Sequence, residues 1–264
     1  MGRHHGFIAL ALALVVSACG SDVPPSASQQ NDTVFQYSTL NALLNGLYDG
    51  EMTIGEVAQY GDMGLGTIHG IDGELIALDG AFYSAHGDGS VTRLTDDVKT
   101  PFAVVATFNP DKQAALDVGL NYQALQDVTD KLIRAPNHFQ AIRIDGVFRT
   151  LKLRSEPKQK PPYRPLADVL KNEQVVFDYE KIAGTMIGFR MPAFIAGLNV
   201  PGYHFHFVSE DRTKGGHVLE LEVASGTILI DELHRFEMAL PGTDSFQAVN
   251  LGGTRESEVN AVER

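Results

Sequence analysis

GYHFHFVSEDRTKGGHVLELEV, residues 202–223, decides how this chain folds and where its chemistry sits. Side chains alternate across a strand, so His204 and His206 share one face while Phe205 and Phe207 share the other. A buried imidazole loses its hydration, and two of them on one face need a partner or a task. SEDRTKGG (209–216) reads as a polar loop with paired glycines, after which HVLELEV resumes the alternation. A hairpin that sets residue 206 opposite 217 brings a third imidazole to the same face, about 5 Å away. Three histidines on a rigid sheet suit zinc or a similar divalent ion, with positions left open for water or substrate. The single cysteine of the chain lies far upstream and cannot complete a closed structural site.

Two plainer readings compete. In one, His217 caps a turn and the other two rings pack in an aromatic core. In the other, HxH followed by Glu210 has cupin-like spacing, which makes the protein a metal oxygenase or isomerase on a single barrel. The cupin reading requires a second motif with Pro, Gly and then His. ALPGTDSFQAVN (239–250) supplies Pro241 and Gly242 but no histidine after them, which puts this reading second. Of the other histidines, His4 and His5 lie in the leader. His69, His86, His138 and His234 stand singly and read as surface or core residues.

Outward from this stretch, the alternation continues to Pro241, as expected of an antiparallel sheet with short loops. Upstream, GLGTIHGIDGELIALDGAFYSAHGDGSVTRL (64–94) alternates short apolar runs with DG pairs, which predicts three or four strands in tight hairpins. Leu40, Leu43, Leu44 and Leu47 predict a short helix ending at YDG. PFAVVATFN (101–109) reads as a strand, and YQALQDVTDKLI (122–133) as an amphipathic helix capped by Asn121. HFQAIRIDGVFRTLKLRS (138–155) reads as a further hairpin, and YRPLADVLKNEQVVFDYEKIAGTMIGFRMP (163–192) as a short helix followed by strands. The expectation is an α+β fold: two packed sheets, mixed or antiparallel, with a few short helices and the metal site on the C-terminal sheet. The Pro-rich EPKQKPPYRP (156–165) is the best candidate boundary, dividing an N-terminal α+β half (34–160) from a C-terminal β-rich half (161–264).

The front of the chain has a different character. Residues 1–18 carry Arg3 and then a ten-residue apolar run, Phe7 to Val16, too short to span a bilayer. The run ends in VSAC, which resembles a bacterial lipobox with Cys19 as the lipidated residue. GSDVPPSASQQNDT (20–33) is polar and without period, so 19–33 reads as a tether. An exported, membrane-anchored lipoprotein is expected, periplasmic or on the cell-surface side. With 21 basic against 33 acidic residues, a net charge of −12 and no basic run, nucleic acid is not an expected partner. A hydrophobic share of 44% across 264 residues supports a sizeable core.

Five segments in order carry a resemblance: GDMGLGTIHGIDGELIALDGAFY, AIRIDGVFRTLKLRS, PPYRPL, the run from GTMIGFRMP through GGHVLELE, and MALPGTDSF. Together, from about Tyr37 onward, the chain resembles bacterial α-acetolactate decarboxylase. The resemblance implies decarboxylation of 2-acetolactate, a 2-hydroxy-3-keto acid, to acetoin and CO2, with one zinc ion per chain held by His204, His206 and His217. It implies that Glu74 in DGELI and Arg154 in LKLRS are catalytic, and that Thr67 in GLGT lines the substrate pocket. It also implies a carboxylate from the C-terminus, assigned to Glu263 with Glu256 and Glu258 as rivals, and a homodimer. The ion would act as a Lewis acid that stabilises an enediolate, Arg154 would hold the carboxylate by paired donors, and Glu74 or Glu263 would donate the proton. A third function, a non-catalytic zinc-binding lipoprotein, uses the same histidines without the reaction.

Overall fold

A computed structural model describes residues 1–2 and 32–263. The expected leader beyond its first two residues, Cys19 and the tether up to residue 31 lie outside the described residues. In chain order the elements are β1 (Thr33–Tyr37), α1 (Leu40–Leu44), β2 (Met52–Thr53), α2 (Ile54–Val57), β3 (Met63–Thr67), β4 (Glu74–Leu78), β5 (Ala81–Ala85), β6 (Val91–Arg93), β7 (Lys99–Thr100) and β8 (Phe102–Ala106). There follow β9 (Lys112–Leu116), α3 (Tyr122–Leu132), β10 (Phe139–Ser155), α4 (Leu166–Glu173), β11 (Val175–Met191), β12 (Gly202–Ser209), β13 (Gly215–Leu233), β14 (Arg235–Ala239), α5 (Asp244–Ala248) and α6 (Glu256–Glu263). Among the described residues no helix is long and apolar enough to cross a membrane.

Two sheets carry the fold, as the alternating sequence predicts. The first has seven strands in the order β14-β1-β8-β3-β4-β5-β6, and is mixed because β14 runs parallel to β1. Its β3-to-β6 run is the expected series of hairpins. The β4–β5 connection is a two-residue turn with φ of 52° at Asp79 and 74° at Gly80, the left-handed pair that suits the twist of adjacent strands. The second sheet joins β10, β11, β12, β13 and β9, and β10 also pairs with β13, so four strands close into a ring. The Pro-rich stretch 156–165 connects β10 to α4 within this assembly, and β10 and β11 on either side of it pair along their lengths.

One sequence expectation is corrected. Residues 138–155 do not turn at Asp145-Gly146; Phe139–Ser155 form one continuous strand of 17 residues, β10. The reason is a row of glycines across three strands, with Gly146 paired to Gly184 on one side and Gly226 on the other. A Cβ at Gly146 would lie 2.4 Å from Ser225 O, so the glycine serves close strand approach and not a turn. Asp145 is meanwhile occupied by Arg143 and Thr185. Likewise β11 is a single strand of 17 residues that follows α4 directly.

The alternation sorts the apolar residues. Phe148, Met186, Phe205, Phe207 and Ile228 form one core cluster, while Ile76, Val104, Ile187, Phe189 and Val208 belong to another that includes residues of both sheets. Helices α1 and α4 contribute Leu40, Leu43, Leu166 and Leu170 to the latter. The chain passes between the sheets at β8–β9 and again at β13–β14.

Two consequences are measurable. Gly146→Ala forces backbone contact and is expected to cost about 1–3 kcal/mol in urea denaturation, while Gly242→Ala, with nothing within 4 Å, changes little; equal stability of the two variants contradicts the packing argument. Asp231 is buried near the end of β13, and its Oδ2 accepts the Asn109 N–H at 2.8 Å. Burial, opposed by that hydrogen bond and reinforced by Asp111, Asp32 and Asp62, pushes its carboxyl up to about 7. The folded chain therefore holds this proton more tightly than the unfolded chain, so stability from this group falls as pH rises from about 4 through about 7. Asp231→Asn should match the natural protein at pH 4 and exceed it at pH 8; lower stability at pH 8 rejects this account.

Candidate functional site

The register expected from sequence is the one found: His206 pairs with His217 across β12 and β13. The turn between them enforces it. Ser209 Oγ accepts the Lys214 N–H at 2.9 Å, Asp211 Oδ1 accepts from the Thr213 N–H and hydroxyl, and Arg212 takes the left-handed backbone at φ 59°. On the other side of β13, His217 pairs with Arg154 of β10, so Arg154, His217 and His206 form a row across three strands. His204 lies two residues from His206 on the same face. All four side chains are buried.

The ring nitrogens converge. His204 Nε2 lies 3.2 Å from His206 Nε2 and 3.1 Å from His217 Nδ1. Ligands placed about 2.0–2.1 Å from a tetrahedral ion stand about 3.3 Å apart, so the observed spacing fits a shared zinc-sized cation. His206 Nδ1 donates to Leu75 O at 2.8 Å, which leaves Nε2 as the ligating atom. Burial, with the Arg154 charge, pushes His204 down to about 3. Burial and the same charged surroundings hold His206 and His217 well below the ordinary imidazole range. The three rings are thus neutral with lone pairs aimed at one point, the state a metal requires.

The facing sheet and the C-terminal helix supply acids. Glu74, first residue of β4, places Oε2 at 3.2 Å from His206 Nε2. Glu263, in the last turn of α6, places Oε2 at 3.5 Å from His204 Nε2 and 4.0 Å from His217 Nε2. Its rivals are elsewhere: Glu258 pairs with Arg255, and Glu256 is exposed at a cavity mouth. Thr67 pairs with Glu74 across β3 and β4, and its hydroxyl donates to Gly73 O at 2.7 Å, pinning the loop that leads into Glu74.

One site residue escaped the sequence reading. Glu156 is buried, hydrogen-bonds with Glu74 and lines the same small cavity, ≈ 40 Å³, as Arg154 and the histidines. Its signal was present, since Glu156 stands two residues after Arg154 and so shares its face at strand spacing. Burial pushes Glu156 and Glu263 up to about 7, each opposed by the Arg154 guanidinium. Glu74 is raised well above the carboxylate range by burial and then by Glu156. A divalent ion at the histidines would oppose these shifts.

The pocket also holds unmet polar atoms. Among the described residues eight buried side-chain atoms lack a hydrogen-bond partner, and four belong here: Arg154 Nε, Glu156 Oε2, His204 Nδ1 and Glu263 Oε2. Such a concentration marks a place built for a ligand. The cavity's apolar side is made by Leu40, Leu43, Ile71, Phe102, Leu166 and Leu170. A larger cavity of ≈ 630 Å³ reaches the other side of Glu263, bounded by Tyr122, Tyr203 and α6. Glu210, which the cupin reading needs on the metal, is instead exposed at the turn and lines a groove with Asp145 and Thr185.

The chain matches the family model for alpha-acetolactate decarboxylase over residues 34–253, a span that includes every site residue named above except Glu263. It is 39% identical to an alpha-acetolactate decarboxylase of Methanosarcina mazei over 92% of this chain and 84% of that protein. It is 41% identical to one of Raoultella terrigena, over 90% of this chain and 92% of that protein. The crystal structure of alpha-acetolactate decarboxylase from Bacillus subtilis superimposes with a TM-score of 0.85 at 34% identity, covering 88% of this chain and 99% of that one. On this ground, the chain belongs to the alpha-acetolactate decarboxylase family of carboxy-lyases.

Proposed function

We propose that this protein decarboxylates 2-acetolactate to acetoin and CO2 with a zinc ion held by His204, His206 and His217. The observation that carries the reading is the three-histidine cluster, with His204 Nε2 3.1–3.2 Å from a nitrogen of each of the other two, beside a buried arginine whose Nε has no partner. When bound, the ion supplies Lewis-acid stabilisation of negative charge on the substrate's ketone oxygen.

The protein's own groups do the rest. Arg154 is the one arginine lining the small cavity, and its planar fork suits the substrate carboxylate better than a lysine ammonium. Cleavage of the bond to that carboxylate releases CO2 and leaves its electron pair on the remaining carbon skeleton. A proton must then reach that carbon. Glu74, whose carboxyl is pushed well above the ordinary range by burial and then by Glu156, stands 3.2 Å from His206 and is the donor in this reading. Glu263 faces the same cluster from α6 and closes it from the larger cavity. The apolar leucines and Phe102 exclude water from the carbon that takes the proton.

The same proposal extends to setting. Arg3, the apolar run to Val16 and the Cys19 lipobox support an exported enzyme tethered by lipid, and the resemblance supports a homodimer.

Acetoin formation tests the chemistry. Metal-stripped protein should be inactive and zinc should restore it. Arg154→Lys should lower kcat/KM about 10- to 100-fold, the weight of a charge-assisted contact. Glu74→Gln should lower kcat about 10²- to 10⁴-fold while zinc stays bound. Full turnover without metal, or a natural rate in Arg154→Lys, rejects the reading.

A further inference from the structure

His138 and His234 stand alone in sequence, yet the fold brings both to one carboxylate. His138 lies just before β10, Glu232 is on β13 opposite Gln140, and His234 is the single residue between β13 and β14. His138 Nδ1 is 2.9 Å from Glu232 Oε1, and His234 Nε2 is 3.9 Å from that same oxygen. The two rings lie against each other with centroids 4.6 Å apart and planes tilted by 36°. One ligand atom from each of the three residues falls within 4.8 Å of the others.

A hydrogen bond between one histidine and one glutamate is complete by itself. A second imidazole brought to the same oxygen adds nothing to that pair, and two protonated rings in contact would repel. A shared cation accounts for all three. We propose that His138, Glu232 and His234 form a second metal site for a late first-row divalent ion such as zinc, separate from the histidines of the pocket.

The donor set, two imidazoles and a carboxylate with open positions, is one such ions accept. The carboxylate is prearranged, because Glu232 Oε2 faces Lys112 Nζ at 3.7 Å and its Oε1 is turned to the rings. The Lys112 charge weakens the site, and the Asp111 carboxylate, which accepts the Glu232 N–H, offsets it. The two histidine side chains are about half exposed, at 45% and 48%, so closing the 3.9 Å gap needs only a rotation of a free ring. The place has structural meaning. His234 sits where the chain leaves the ring of long strands for the edge of the seven-stranded sheet, so an ion there ties that crossover to the start of β10.

The test is zinc stoichiometry on the full protein, by equilibrium dialysis with metal analysis. The natural sequence should bind two ions per chain, and His138→Ala/His234→Ala one, with acetoin formation unchanged. At zinc a hundredfold above the weaker Kd, the natural protein's Tm should rise by about 5–10 °C over its one-ion form, and the variant's should not. Glu232→Gln should weaken the second ion at least tenfold. Equal zinc stoichiometry in the natural protein and the double variant overturns the proposal. Failure of the pocket site instead shows as no ion lost in His206→Ala, so the two are told apart.

Discussion

Three buried imidazoles, with His204 Nε2 3.2 Å from His206 Nε2 and 3.1 Å from His217 Nδ1, are the constraint on which this molecule is organised. Without a cation their lone pairs oppose each other in a place where water cannot relieve them. The fold holds them there regardless. The Ser209–Lys214 turn sets β12 against β13 in register, and the Leu75 carbonyl of the opposite sheet fixes the rotation of His206. A slip of one residue would send the histidines to the aromatic cluster and the phenylalanines to the pocket. Register therefore decides which side chains the pocket holds.

The electrostatics follow from that core. Neutral imidazoles, one buried guanidinium and three buried carboxyls make a site whose charge is incomplete until a cation and an anion enter. Against Arg154 alone, burial wins and sets Glu74, Glu156 and Glu263 above the carboxylate range. The acids come from distant parts of the chain, β4, the end of β10 and α6, and only the packing of one sheet on the other unites them. That is also why the site lies between the sheets, with α1 and α4 covering its apolar side.

How much of this the sequence discloses depends on how local each signal is. The histidine cluster was legible because period-two alternation and a short loop determine which side chains share a face, and His206 opposite His217 needs nothing more. The DG turn at Asp79-Gly80 was legible for the same local reason. The DG at Asp145-Gly146 was not, because its glycine answers to Gly184 and Gly226 on other strands, and a close approach between distant segments leaves no local mark. Glu74, Arg154, Thr67 and Glu263 were reached through resemblance, not periodicity. Glu156 shows what strict strand spacing from Arg154 would have added. His138 and His234 show the converse, two residues that read as isolated until the crossover between sheets sets them side by side.

The most direct measurement of the central claim is zinc-edge X-ray absorption on protein carrying one equivalent of zinc, in the His138→Ala/His234→Ala background so that a single site contributes. The account predicts a first shell with three imidazole nitrogens at about 2.0–2.1 Å, reduced to two in His206→Ala. A shell with one imidazole or none, unchanged by that substitution, would contradict it.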